Sequence, residues 1–108
     1  DERGGPNHVG NYCSAPIMVN TKTQELFFQS SYYYLGHFSR FFNRGDQIIK
    51  CENNTDTLLA LSAIDKNQKI TTTIMNKEEK SVPFLYENGI RTMSLSIPAR
   101  SIITIISN

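Results

Sequence analysis

The side chains of this 108-residue sequence that could do chemistry are ten carboxylates, two histidines, two cysteines and the hydroxyls around them. Carboxyl-based bond cleavage needs two such groups facing one substrate, one protonated and one ionised. The settings here argue against such a pair. Glu78 and Glu79 fall in the run Asn76-Lys77-Glu78-Glu79-Lys80, which reads as a solvated charged turn. Asp56 and Asp65 lie in turns, and Glu25 and Glu52 at strand ends. None has a distinctive aromatic or Asn flank. His8 or His37 beside Ser14, Ser39 or Cys13 would supply a base and a nucleophile, yet no nucleophile-elbow or Cys-His signature surrounds them. A histidine on or near a helix is read as structural. Cys13 and Cys51 match no metal-ligand spacing and are too few for a disulfide framework, so they read as free thiols. The residues therefore predict no catalytic group, no metal and no cofactor. Asn53-Asn54-Thr55 matches the acceptor triplet for N-linked sugar, a signal that applies to a eukaryotic secreted chain.

Composition narrows the classes further. The formal charge is +1 with acids and bases interspersed, so no basic stripe argues for nucleic acid. No apolar run is long enough to span a bilayer, and no signal-peptide pattern is present. The length suits one domain, or one domain and part of another. The opening Asp1-Glu2-Arg3 lacks an initiator Met and reads as a piece excised or processed from a longer product. The sequence assigns no compartment.

The elements that must position these groups divide at one helix. In Ser31-Tyr-Tyr-Tyr-Leu-Gly-His-Phe-Ser-Arg-Phe-Phe42, Tyr34, Leu35, Phe38, Phe41 and Phe42 recur at steps of three and four and share a face. Ser30 or Ser31 is the expected N-cap, Arg40 suits the negative end of the dipole, and Gly45 is the stop signal. The aromatic face is expected to be core. Before it, residues 1–16 are turn-rich, and Ile17–Val19 and Glu25–Gln29 form a candidate hairpin around a polar turn. After it, the pattern changes to period two. Gln47–Cys51, Leu58–Ile64, Lys69–Met75, Ser81–Tyr86, Arg91–Ile97 and Ser101–Ser107 read as strands spaced by turns, which predicts an antiparallel β-sandwich. Leu58–Ile64 is apolar enough to be central. Pro83 sends its strand to an edge or a bulge, Asn88-Gly89 marks a tight turn, and Met93, Leu95 and Ile97 share one face.

Two blocks carry a family resemblance. Tyr32-Tyr33-Tyr34-Leu35-Gly36-His37-Phe38-Ser39-Arg40-Phe41 resembles a segment near the C-terminus of glycoside hydrolase family 30, the glucosylceramidase-like enzymes. Upstream, Gly4-Gly5-Pro6-Asn7-His8-Val9-Gly10-Asn11-Tyr12-Cys13-Ser14-Ala15-Pro16-Ile17-Met18-Val19 resembles a second block, in the family's order and approximate separation. The downstream strands fit the family's β-domain by pattern. The resemblance implies a parent that is a retaining hydrolase of β-glycosides, with a (β/α)8 barrel and a side β-domain. Its acid/base and nucleophile glutamates stand at the ends of the fourth and seventh barrel strands, upstream of everything matched here. It divides the chain into a pocket-loop and hairpin segment (1–30), a last barrel-type helix (31–44) and a C-terminal β-sandwich (45–108).

The family places a loop beside the active site after the eighth barrel strand, and Asn7-His8-Val9-Gly10-Asn11-Tyr12 matches it. Asn11, with Tyr12 beside it, is implied to line the sugar pocket of the intact parent, together with Asn7 and His8. An Asn amide both donates to and accepts from sugar hydroxyls. His8 stands where relatives often carry Trp. The implied partners are the parent's own barrel and a β-glycoside or glycolipid substrate. In the family the β-domain is completed by strands from near the enzyme's N-terminus, so this piece is expected to dimerise along an open edge or to use residues 17–29 as a substitute strand. A stand-alone carbohydrate-binding β-sandwich is the alternative; the strands after Phe42 carry only Phe84 and Tyr86 as aromatics with which to build a binding platform.

Overall fold

A computed structural model of the chain describes residues 14–108. Two compact units divide the chain within its helix, one ending at Gly36 and the other running His37–Asn108.

In the first unit, β1 (Ile17–Val19) and β2 (Leu26–Phe28) form the expected hairpin, with Ile17 opposite Phe28 and Val19 opposite Leu26. Asn20 organises the turn. Its side-chain oxygen accepts the Lys22 and Thr23 amides at 3.0 and 3.1 Å, and its own amide donates to the Glu25 carbonyl at 2.9 Å. The two strands pair with each other as a two-stranded sheet, and the alternative in which residues 17–29 serve as a substitute strand has no ladder among the described residues.

The helix α1 spans Ser30–Phe41. Its first turn is closed by the Tyr32 amide on the Gln29 carbonyl at 3.0 Å, which puts Gln29 in the cap position expected for a serine. Arg40 lies in the last turn and rests over the Phe41 ring, 5.5 Å from its centroid. The chain leaves α1 through a turn in which Asp46 accepts the Asn43 amide at 2.7 Å and Gly45 takes a φ of 98°. The expectation of a buried aromatic face is corrected: no residue of α1 is buried, and on that face Leu35 and Phe38 are 56% and 39% exposed. Some rings find local partners, Phe28 with Tyr32 at 4.8 Å in the first unit and Phe38 with Phe42 at 5.6 Å in the second.

The second unit is the β-sandwich. Strands β3 (Gln47–Ile49), β4 (Leu58–Ile64), β5 (Ile70–Asn76) and β8 (Ser101–Ser107) make a four-stranded antiparallel sheet in that order. Strands β6 (Val82–Glu87) and β7 (Thr92–Ile97) make a second sheet of two. Strand β4 is central, as its apolar run predicts, and among the described residues the hydrogen-bonded neighbour of the Pro83 strand is β7 alone. Alternation gives each sheet one inward face. Leu58 and Ala60 of β4, Ile74 of β5, and Ile103 and Ile105 of β8 meet Val82, Phe84 and Tyr86 of β6 and Met93, Leu95 and Ile97 of β7. Leu58, Ile74, Tyr86 and Ile97 are the buried centre of this cluster.

Two turns set the strand pairing. Asn88 accepts the Ile90 and Arg91 amides at 3.1 and 2.8 Å, and Gly89 adopts a φ of 83° that a side chain would strain. Between β4 and β5, Asp65 accepts the Asn67 and Lys69 amides at 2.8 and 2.9 Å, while Gln68 takes a φ of 63° without being glycine.

Candidate functional site

The expected pocket-loop residues Asn7, His8, Asn11 and Tyr12 lie outside the described residues, as does Cys13. The site-like features of the described residues all belong to the sandwich unit.

The first is an open cleft of about 1180 Å³ over the inward face of the four-stranded sheet. Ile49, Ala60, Ser62, Thr72 and Ile74 contribute to one wall and Val82, Phe84 and Tyr86 of β6 to the other, with residues 50–55 and 87–89 at the rim. It exists because β3 pairs only with residues 62–64 of β4, leaving the start of β4 without a ladder partner on that side. A row of hydroxyls crosses the inner face. Ser62 Oγ lies 2.9 Å from Thr72 Oγ1, which lies 3.2 Å from the Tyr86 hydroxyl, itself 3.3 Å from Ser107 Oγ. Ser62, Thr72 and Tyr86 are buried, and each satisfies its neighbour. Tyr86 apart, this row has no titratable group; Lys50, Cys51, Glu52 and Glu87 are the titratable side chains among the other lining residues.

The second feature is on the other face of the same sheet. Register places Leu61, Thr73 and Thr104 in one row. His37 Nδ1 meets Thr104 Oγ1 at 2.8 Å, and Thr104 Oγ1 meets buried Thr73 Oγ1 at 2.9 Å. His37 is thus tied to β8 and contacts neither a thiol nor a carboxylate in this line.

The third is Asn76, which corrects the reading of residues 76–80 as wholly solvated. Lys77, Glu79 and Lys80 are exposed, whereas Asn76 is 1% exposed. Its amide nitrogen donates to the Lys80 and Pro98 carbonyls at 2.8 Å and approaches that of Ile97 at 3.3 Å, and its oxygen accepts the Glu78 amide at 2.9 Å. One side chain joins the turn after β5 to the turn after β7. No periodicity signal reveals this, because Asn at a strand end also reads as an ordinary turn residue.

The carboxylates take surface roles. Glu52 pairs with Lys50, Glu79 with Arg100, Glu25 accepts the Thr23 hydroxyl and Glu87 the Thr92 hydroxyl. The backbone amide of Lys69, above all, holds the Asp65 carboxyl below its ordinary pKa. Cys51 is an exposed free thiol. Among the described residues no cluster of His, Cys, Asp and Glu has the makings of a metal site. Of the aromatics on the sandwich strands, Tyr86 is buried and Phe84 half-buried in the core, so neither offers an exposed platform.

Known proteins give this architecture a family. The family model described as the glycosyl hydrolase family 30 TIM-barrel domain matches residues 1–42, and that of the glycosyl hydrolase family 30 beta sandwich domain matches residues 47–105. The chain is similar to putative glucosylceramidase 3 of Caenorhabditis elegans, at 36% identity over 98% of the chain and 21% of the relative. It is also similar to lysosomal acid glucosylceramidase of Mus musculus, at 30% identity over 74% of the chain and 16% of the relative. The chain thus spans between about a sixth and a fifth of the length of these relatives. Among solved structures, SrfJ from Salmonella typhimurium shares the fold with a TM-score of 0.90 at 24% identity, over 98% of this chain and 24% of its own. An endo-β1,6-glucanase does so with a TM-score of 0.77 at 20% identity, over 95% and 23%. The chain belongs to glycosyl hydrolase family 30, a stretch matching its TIM-barrel domain being followed by one matching its beta sandwich domain.

Proposed function

We propose that the chain is the C-terminal section of a retaining β-glycosidase of the glucosylceramidase kind. There it braces the catalytic barrel and contributes one pocket loop, without a catalytic residue of its own. The observation that carries this reading is the order of the two family matches, the TIM-barrel domain up to residue 42 and the beta sandwich domain from residue 47, with α1 at the junction. A helix whose aromatic face is unburied is what the last helix of a barrel looks like when its neighbours are not part of the chain. The cleft beside β6 fits the same reading, since a sandwich completed by strands from elsewhere in the parent leaves such a gap. Retaining chemistry needs two carboxyls roughly 5 Å apart, and the engaged surface carboxylates described above supply no such couple. The pocket loop is Asn7, His8, Asn11 and Tyr12, with the Asn11 amide bonding a sugar hydroxyl. The substrate is a β-glucoside, with a glucosylceramide favoured by the names of the two curated relatives.

The test compares this chain with the longest product of its gene on a fluorogenic β-glucoside. The expected result is an inert chain and an active long product whose rate drops at least tenfold on Asn11→Ala. Hydrolysis by the 108-residue chain itself, or an Asn11→Ala long product of full activity, overturns the catalytic or the pocket part of the reading respectively.

A further inference from the structure

We propose that Asn53 is an acceptor for an N-linked oligosaccharide, a role independent of the glycosidase reading. The chain contains a single Asn-X-Ser/Thr triplet, Asn53-Asn54-Thr55, with a middle residue other than Pro. The fold places it in the loop of residues 50–57 that joins β3 to β4, with Asn53 and Asn54 exposed. The acceptor side chain is held at both ends. Its Oδ1 accepts the Thr55 amide at 3.2 Å, and its Nδ2 donates to the Leu58 carbonyl at 2.6 Å.

A carboxamide nitrogen carries two hydrogens, and the Leu58 bond uses one. In the transfer, Nδ2 forms a bond to the anomeric carbon of a lipid-linked oligosaccharide diphosphate. The bond from that carbon to the diphosphate oxygen breaks, the diphosphate leaves with the electron pair, and one amide proton passes to base. The product is a secondary amide that keeps one N–H, so the bond to Leu58 survives. The sugar takes the position of the other amide hydrogen. The loop also forms part of the cleft rim, so a sugar at Asn53 marks that rim as an outer surface in any assembly the chain enters.

The whole chain, secreted from insect cells behind a cleavable signal, provides the test by intact mass and peptide mapping before and after treatment with peptide-N-glycosidase. The expected result is one oligosaccharide on most molecules, mapped to residue 53, with Asp left there after release. Thr55→Ser should keep it, and Asn53→Gln and Thr55→Ala should abolish it. Mapping the unsubstituted chain decides the matter even if a variant fails to be secreted. A secreted chain of unmodified mass, or sugar mapped to another residue, overturns the proposal. A glycosylated chain that melts below the same chain made in bacteria overturns the retained Leu58 bond.

Discussion

The two units invert the usual places of apolar and polar side chains. In the hairpin and first helical turns, Leu26, Phe27, Phe28, Tyr33 and Leu35 stand about half exposed. In the sandwich, Ser62, Thr71, Thr72, Thr73 and Asn76 are buried. Side-chain polarity therefore does not decide burial here. A short hairpin has too little chain to cover its own rings, whereas two packed sheets can take in hydroxyls provided that each finds a partner. The sandwich achieves this through bonded rows of Ser, Thr and Tyr and through the amide of Asn76.

The contrast breaks most readily at Ile97, which is fully buried. Ile97→Ala should cost about 2–5 kcal/mol in urea unfolding, whereas Phe27→Ser, at a ring 47% exposed, should change stability by about 0.5 kcal/mol or less. Equal losses would show that the first unit buries its rings after all. Next in size is Asn76→Ala, which strands the carbonyls of Lys80 and Pro98 and should cost about 2–3 kcal/mol by the same measurement. A loss under about 0.5 kcal/mol would mean that water replaces the amide freely. Thr72→Val keeps the shape and removes the hydroxyl between Ser62 and Tyr86, for an expected loss of about 1–2 kcal/mol. No loss would show that shape alone holds the inner face.

The smallest effect concerns Asp65, whose pKa in the fold is depressed by the amides it accepts. A depressed carboxyl stabilises the fold above its unfolded pKa, and that contribution fades as pH falls through the folded value. Stability should therefore decline on acidification, starting in the ordinary carboxylate range, and Asp65→Asn should flatten part of that decline. Identical pH profiles for the two proteins would exclude the turn as its source.

Much of this was legible in the sequence because alternation and turn chemistry are local. Met93, Leu95 and Ile97 face inward as their spacing requires, Asn88-Gly89 closes its hairpin, and Pro83 marks an edge strand. The helix was equally legible, but not its burial. Periodicity shows that Tyr34, Leu35 and Phe38 share a face and is silent on whether anything covers it. Asn76 and the Thr73–Thr104–His37 line were hidden for a different reason, since each depends on residues that only the tertiary register brings together. The pocket-loop residues Asn7, His8, Asn11 and Tyr12 rest on the family resemblance.

The position of β5 between β4 and β8 also imposes an order of assembly. Its pairing with β4 closes a short turn, an event of about 1–10 μs for a hairpin. Its pairing with β8, which sets Ile70 against Ser107 and Asn76 against Ser101, must wait until the whole β6–β7 hairpin has been looped out. During that interval one edge of Ile70–Asn76 is bare, and an unpaired edge is a template for any other strand. The run Thr71-Thr72-Thr73 is β-forming yet polar, so the waiting edge is rich in hydroxyls instead of alkyl groups. The buried threonines that join the finished sheet thus also keep the half-made sheet from presenting an oily strand to its neighbours.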